Sequence, residues 1–154
     1  LSWTTRSPRE GERQDVDYHF ASRDEFLALQ QADGFLEHFE VFGNLYGTPR
    51  AAVEDRLAAG TDVVLEIDVQ GALAVKRAMP EALLVFVAPP SRDEQRRRLE
   101  ARGSDSPEVI ETRLAEAAAE EARAGEFDAQ VVNDDVDAAV ARVAGILASR
   151  TAGA

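Results

Sequence analysis

Three runs along the chain carry the apolar density of β-strands: Asp62 to Asp68, Ala82 to Ala88 and Ala129 to Asn133. The middle run, Ala82-Leu-Leu-Val-Phe-Val-Ala88, is almost unbroken apolar sequence, the pattern of a parallel strand covered on both faces. Helical stretches alternate with these runs. Val69 to Met79 is stopped by Pro80, Ser91 to Arg102 by Gly103, and Val136 to Ser149 closes the series, with Thr151 to Ala154 expected as a frayed end. Alternating strands and helices predict an α/β domain with a parallel sheet.

A further helix has a written start at Ser106-Pro107-Glu108: a serine N-cap, proline at the first helical position and an acid in the first turn. It is expected to run to about Arg123, with a thin apolar stripe at Val109, Ile110 and Leu114 that suits a lightly packed lid. The first 50 residues differ. Short apolar and aromatic runs at Val16 to Ala21 and Phe35 to Phe42, a Gly43-Asn44 turn and Leu45 to Thr48 read as antiparallel strands, with one helix at Arg23 to Ala32. A small mixed lobe beside the parallel sheet is the expectation.

A length of 154 residues suits one domain, and a formal net charge of -12 argues against nucleic acid as a partner, because that affinity comes from Lys and Arg neutralising many phosphates. No run approaches the ~20 apolar residues that cross a bilayer, and Leu1 opens into polar sequence without an export signal, so the expected location is the cytoplasm. The absence of cysteine excludes disulfides and thiolate metal sites, and His19 and His38 have no zinc-ligand spacing. A small phosphorylated ligand stays compatible with the negative total if a few arginines converge, since the field in a cleft can oppose the average field. The cations are almost all arginine, Lys76 being the one lysine, and arginine presents a planar fork that matches phosphate oxygens.

The opening run Ser2-Trp3-Thr4-Thr5-Arg6-Ser7-Pro8-Arg9, followed by Asp17-Tyr18, brings two arginines and a phenol close in sequence. Each guanidinium can give two charge-assisted hydrogen bonds to a phosphate and the tyrosine hydroxyl one more, which makes an anion clamp. Taken singly, such arginines are ordinarily solvated surface charges.

The pattern T-T-R-x-P-R-x-G-E over Thr4 to Glu12, with D-Y-x-F at Asp17 to Phe20, resembles the start of the nucleotide-binding lobe of guanylate kinases. The resemblance continues through Phe42-Gly43-Asn44-Leu45-Tyr46-Gly47-Thr48, Leu65-Glu66-Ile67-Asp68-Val69-Gln70-Gly71 and Ala88-Pro89-Pro90-Ser91. Arg102-Gly103-Ser104-Asp105-Ser106-Pro107 and Val131-Val132-Asn133-Asp134 follow in family order, so that the likeness reaches from Leu1 to about Arg150.

That resemblance implies a P-loop nucleoside-monophosphate-kinase fold in a single domain: a GMP-binding lobe over 1–50, a core over 51–90 and 126–154, and a helical lid over 91–125. It implies phosphoryl transfer from ATP to GMP, with dGMP left open as a second acceptor, and Mg2+ accompanying ATP. Ser2, Arg6, Arg9, Tyr18, Glu37, Tyr46, Thr48 and Asp68 match the positions that surround GMP. Arg6, Arg9, Tyr18 and Tyr46 would hold its phosphate. Glu37 would read the base, because an ionised carboxylate only accepts hydrogen bonds while the N1 and N2 edge of guanine offers two donors in a row. Arg98, Arg102 and Arg113 match lid positions that act on the transferring phosphoryl group, with Arg98 and Arg102 also meeting ATP. Asn133 resembles the residue that meets adenine. Glu66 is the candidate neighbour of the metal, through water. Glu66 and Asp68 are expected to project together from a strand's carboxyl edge, where open α/β sheets bind ligands.

One departure from the family is an absence. The chain contains no G-x-x-x-x-G-K-[ST] loop, the element whose backbone N–H groups, lysine and hydroxyl hold donor phosphates. The expectation is a truncated kinase, inactive without its first strand, phosphate loop and first helix, whose exposed apolar edges would favour association; no oligomeric state is assigned. The competing expectation is a non-catalytic guanylate-kinase-like module that holds a phosphorylated peptide or GMP. Trp3, His38 and Phe39 stand where the family carries a small residue, a tryptophan and an alanine, next to Ser2 and Glu37.

Overall fold

The computed structural model describes residues 1–41, 43–103 and 105–151, with residues 150 and 151 described by backbone alone. The expectations placed on Phe42, Ser104 and Ala152 to Ala154 lie outside the described residues. The chain is α/β and divides into two compact units, Leu1–Ala82 and Leu83–Ala154.

The first unit is built on a mixed sheet of β1 (Trp3–Thr4), β2 (His19–Phe20), β3 (Phe35–Val41) and β4 (Asn44–Pro49), in the order β2-β1-β4-β3. β3 and β4 form the expected hairpin around Gly43, whose φ of 77° is the left-handed conformation that glycine adopts without strain. The run from Val16 to Ala21 departs from expectation. Only His19–Phe20 is strand, and it pairs parallel with Trp3–Thr4, because the intervening turns bring the chain back beside β1 in the same direction.

The register of β3 shifts between Phe35 and Glu37, and three successive residues, Phe35, Leu36 and Glu37, are buried as a result. Phe35 packs with Phe26 and Leu45, while Leu36 packs with Val53 and Val75 in a second cluster. The first cluster is supplied by α1 (Arg23–Gln31), which begins in a reciprocal capping box between Ser22 and Glu25. Gly47 lets β4 lie against it, since a Cβ there would come within 2.8 Å of the Phe35 ring.

The second cluster is covered by α2 (Arg50–Ala58) and α3 (Val69–Ala78). The α2 helix has no sequence expectation behind it: it buries only Val53 and leaves Leu57 exposed, so its apolar periodicity is faint. The segment Asp62 to Asp68 is the main correction. Its side chains alternate as in a strand, with Val63, Leu65 and Ile67 turned toward the Leu36 cluster and Val64 exposed, yet no described strand pairs with it. A strand exists through its ladder of hydrogen bonds, so alternation alone leaves this segment irregular.

In the second unit β5 (Val85–Ala88) and β6 (Ala129–Val132) pair parallel, in register from Val85 with Ala129 to Ala88 with Val132. The α4 helix (Arg92–Arg102) starts on a Ser91 cap and ends at Gly103, and α5 (Pro107–Glu121) starts on Ser106 with Pro107 in its first turn, as the sequence predicts. Ile110 and Leu114 are the buried stripe of α5, and α6 (Val136–Thr151) closes the chain against β6. No described helix is long and apolar enough to cross a membrane.

Phe26 has 0% of its surface exposed and stacks on Phe35 with ring centroids 4.4 Å apart. Phe26→Ala is expected to cost about 3–5 kcal/mol of unfolding free energy in urea titrations. Leu57→Ala, at a residue 41% exposed, should stay within about 0.5 kcal/mol of the parent.

Candidate active site

In the first unit Arg6, Tyr18 and Tyr46 gather beside β1 and β4, the two inner strands of the sheet. Thr4 is fully buried, and its hydroxyl accepts the backbone N–H of Arg6 at 3.2 Å, while the Thr5 hydroxyl accepts the N–H of Leu45 at 2.9 Å. The two threonines therefore fix where Arg6 leaves the strand. Its guanidinium donates to Glu12 Oε1 at 2.9 Å and to the Ser7 carbonyl at 2.7 Å, and it lies 5.7 Å from the Tyr18 ring centre and 5.8 Å from that of Phe20. Tyr18 and Tyr46 meet edge to face at 6.4 Å, and the Glu12 and Tyr46 partners hold Arg6 above its ordinary pKa.

Arg9 behaves differently. Its backbone N–H donates to Glu12 Oε2 at 2.7 Å, while the residue as a whole is exposed on the loop. Glu12 thus bridges Arg6 and the backbone of Arg9, and these two contacts, Arg6 first, hold its carboxyl below the usual range. Glu12 has a structural part in the cluster that the sequence reading did not give it, although it closes the T-T-R-x-P-R-x-G-E pattern. Ser2 is half-buried, accepts the His19 N–H on its carbonyl at 2.9 Å, and lines a cleft of about 430 Å³ together with Tyr18, Thr48 and Glu66.

Glu37 and Thr48 are cross-strand partners in the β3–β4 hairpin. Glu37 is 4% exposed and Thr48 3%, and the threonine hydroxyl donates to Glu37 Oε1 at 2.5 Å. The other oxygen, Oε2, is buried with no hydrogen-bond partner among the described residues. Burial pushes the Glu37 carboxyl above its ordinary value, against the Thr48 hydrogen bond, and the charge of Asp68 adds to the rise. An unpaired, desolvated carboxylate oxygen is an expensive acceptor that a ligand's donor would satisfy.

Asp68 does not project from a strand edge as expected. It is the N-cap of α3, with Oδ1 accepting the Gly71 N–H at 2.7 Å, because without a ladder the extended segment turns directly into the helix. Glu66, by contrast, is exposed. The departures from the family have definite surroundings. Trp3 stacks on His19 at 4.2 Å and meets the Phe35 ring at 5.9 Å, Phe39 stacks on Tyr46 at 5.6 Å, and His38 is exposed.

In the second unit a cleft of about 290 Å³ is lined by Arg98, Arg102, Gln95 and Asn133 beside the end of β5. Arg98 is held at both ends, donating through Nε to Glu94 Oε1 at 2.7 Å and through Nη2 to the Asn133 carbonyl at 3.1 Å. Glu94 is drawn down to about 2 by its hydrogen bonds from Arg97 and Arg98. The side-chain oxygens of Asn133 and Gln95 are both buried without a partner among the described residues, and Gln95 is a lining residue that the sequence reading missed. Arg113 pairs with Asp105 at 3.2 Å, whereas Arg96 and Arg97 are tied to Glu111 and Glu94 on exposed helix faces.

The fold and the sequence resemble those of known phosphotransferases. A family model described as guanylate kinase matches residues 1–150. A guanylate kinase of Alkalilimnicola ehrlichii is 55% identical over 92% of this chain and 70% of its own length, and one of Thermus thermophilus is 56% identical over 96% and 67%. The crystal structure of guanylate kinase from Anaplasma phagocytophilum superposes with a TM-score of 0.81 at 38% identity, covering 97% of this chain and 73% of that one. The class is that of the kinases, α/β enzymes that transfer phosphoryl groups. Within it, the chain belongs to the guanylate kinase family.

The raised carboxyl of Glu37 gives a signed prediction. A group whose pKa is raised by folding contributes its stability below the unfolded value, 4.5, and loses that contribution as pH climbs through the folded value. Glu37→Gln should therefore gain thermal stability relative to the parent as pH is taken from below 4.5 to neutrality, read as the difference in Tm at each pH.

Proposed function

We propose that the enzyme transfers the γ-phosphoryl group of ATP to GMP, with the first unit holding GMP and the second meeting ATP and the transferring group. The observation that carries this reading is the buried Glu37 carboxylate, half satisfied by Thr48, on the same small sheet as Tyr46, with Arg6 just past the end of β1 and Tyr18 just before β2. Guanine presents N1–H and N2–H side by side, so its edge supplies the donors that Glu37 lacks. Adenine presents an acceptor at N1, which faces a carboxylate unfavourably.

Arg6, Tyr18 and Tyr46 take the GMP phosphate, joined by Arg9 from the exposed loop. Glu12 keeps the Arg6 fork oriented, so less side-chain freedom is lost when the phosphate arrives. Ser2, Thr48 and Asp68 complete the surroundings of the nucleotide. The 1–50 lobe, the 51–90 and 126–154 core and the 91–125 lid remain the functional division, with location in the cytoplasm and a role in guanine nucleotide metabolism.

Arg98, Arg102 and Arg113 stabilise the charge that spreads over the phosphoryl oxygens in the transition state, and Asn133 offers its unpaired oxygen to the adenine amine. Mg2+ fits the residues present as an ion that arrives with the phosphates. Among the described residues no group of three or more His, Cys, Asp or Glu forms a cage, and Mg2+ usually takes one or two carboxylates with water and substrate phosphates. Glu66, exposed and on the wall of the Ser2 and Tyr18 cleft, would hold it through water, and the bound ion would neutralise phosphate charge.

Calorimetry on the ligand-free enzyme tests the reading. GMP should bind and AMP should bind at least about tenfold more weakly, in line with the loss of one hydrogen bond to a charged group. Equal binding of the two rejects it. Arg6→Ala should weaken GMP by roughly 10- to 100-fold, and GMP affinity should fall as pH is lowered through the raised Glu37 value, since the protonated carboxyl no longer accepts both donors.

A further inference from the structure

Gly71 is the third residue of α3, buried, and its N–H is used by the Asp68 cap. Alanine is the better residue at such a position, because glycine loses more backbone freedom on entering a helix. Helix formation therefore gives no reason for glycine here. Its surroundings do. A Cβ added at Gly71 would lie 3.2 Å from Asp68 Oδ1 and 3.3 Å from Glu37 Oε2, with Ile67 Cβ at 3.5 Å. Two carboxylate oxygens from different elements thus converge on the bare Cα.

Neither carboxylate can yield as a loose chain end. Asp68 Oδ1 is tied to the Gly71 N–H at 2.7 Å. Glu37 is buried to 4% exposure and tied through Oε1 to Thr48 at 2.5 Å, so a displacement of Oε2 rotates the carboxylate about that tether. A carboxylate that accepts two adjacent N–H donors must keep both oxygens in the plane of the donor edge, and a turn of a few tenths of an ångström at one oxygen damages one bond of the two.

We propose that Gly71 is a positioning residue that sets the plane of the Glu37 carboxylate and, through it, the preference for a purine with two adjacent donors over a purine with one. This inference rests on the reading of Glu37 as the guanine-recognising group. GMP and IMP separate the two cases, since hypoxanthine keeps N1–H and lacks the 2-amino group.

The test is calorimetry with GMP and IMP on the parent and Gly71→Ala, with the Tm of each ligand-free protein. In the variant GMP should weaken by roughly tenfold and IMP by less than about threefold, collapsing the ratio between them, while the Tm holds or rises. No change in either affinity overturns the proposal. Equal weakening of both, with or without a lowered Tm, also overturns it and assigns Gly71 to packing alone. Glu37→Gln keeps the two levels apart: if that variant binds GMP as the parent does, the guanine reading itself fails. If it weakens GMP while Gly71→Ala does not, only the role of Gly71 is lost.

Discussion

A buried carboxylate, hydrogen-bonded through one oxygen and unpaired at the other, is the constraint around which the first unit is arranged. Glu37 sits in the middle of a hairpin, where an apolar residue would be the ordinary occupant, and its burial follows from the register shift that also buries Phe35 and Leu36. Those two neighbours send their side chains into separate clusters, so the acid is clamped between two pieces of hydrophobic packing. The strand cannot slip to release it without withdrawing both anchors. A desolvated acceptor is thereby kept in place at a cost in stability, which is the usual mark of a site built for recognition rather than for folding.

The arginines show how a chain of net charge -12 can still concentrate positive potential. Where the charge has no assigned task it is cancelled locally, as in the pairs of Arg96 with Glu111 and Arg123 with Glu126. Arg6 is also paired, yet it is 15% exposed at its side chain and flanked by aromatic rings, so its field is screened less by water. Arg98 is braced between an acid and a backbone carbonyl, which orients the fork before any nucleotide is present. Acid partners thus act here as orienters as much as neutralisers.

Much of this was legible in the order of residues. Helix starts at Arg23, Ser91 and Ser106 and the stop at Gly103 are local chemistry, read from one or two turns of chain, and the structure places them within a residue of where the sequence does. The Glu37 and Thr48 pair was legible only as two members of a family pattern, since their contact depends on hairpin register. Non-local pairing is where the reading failed. Asp62 to Asp68 has strand periodicity without a described partner, and β2 runs parallel to β1 because of turns whose geometry no pattern of hydrophobic residues encodes. The α2 helix escaped notice because it buries so little, and Gly71 because the space around a missing side chain is visible only in three dimensions.

The stacking of Trp3 on His19 has a practical corollary. Trp3 is the sole indole of the chain, and it lies on the strand that carries Thr4 and leads to Arg6, opposite Gly47 in register. Fluorescence from the whole molecule is consequently light from a single address, one residue from Ser2 and in ring contact with both β2 and β3. Any rearrangement around that strand is reported optically by a native probe, with no label introduced.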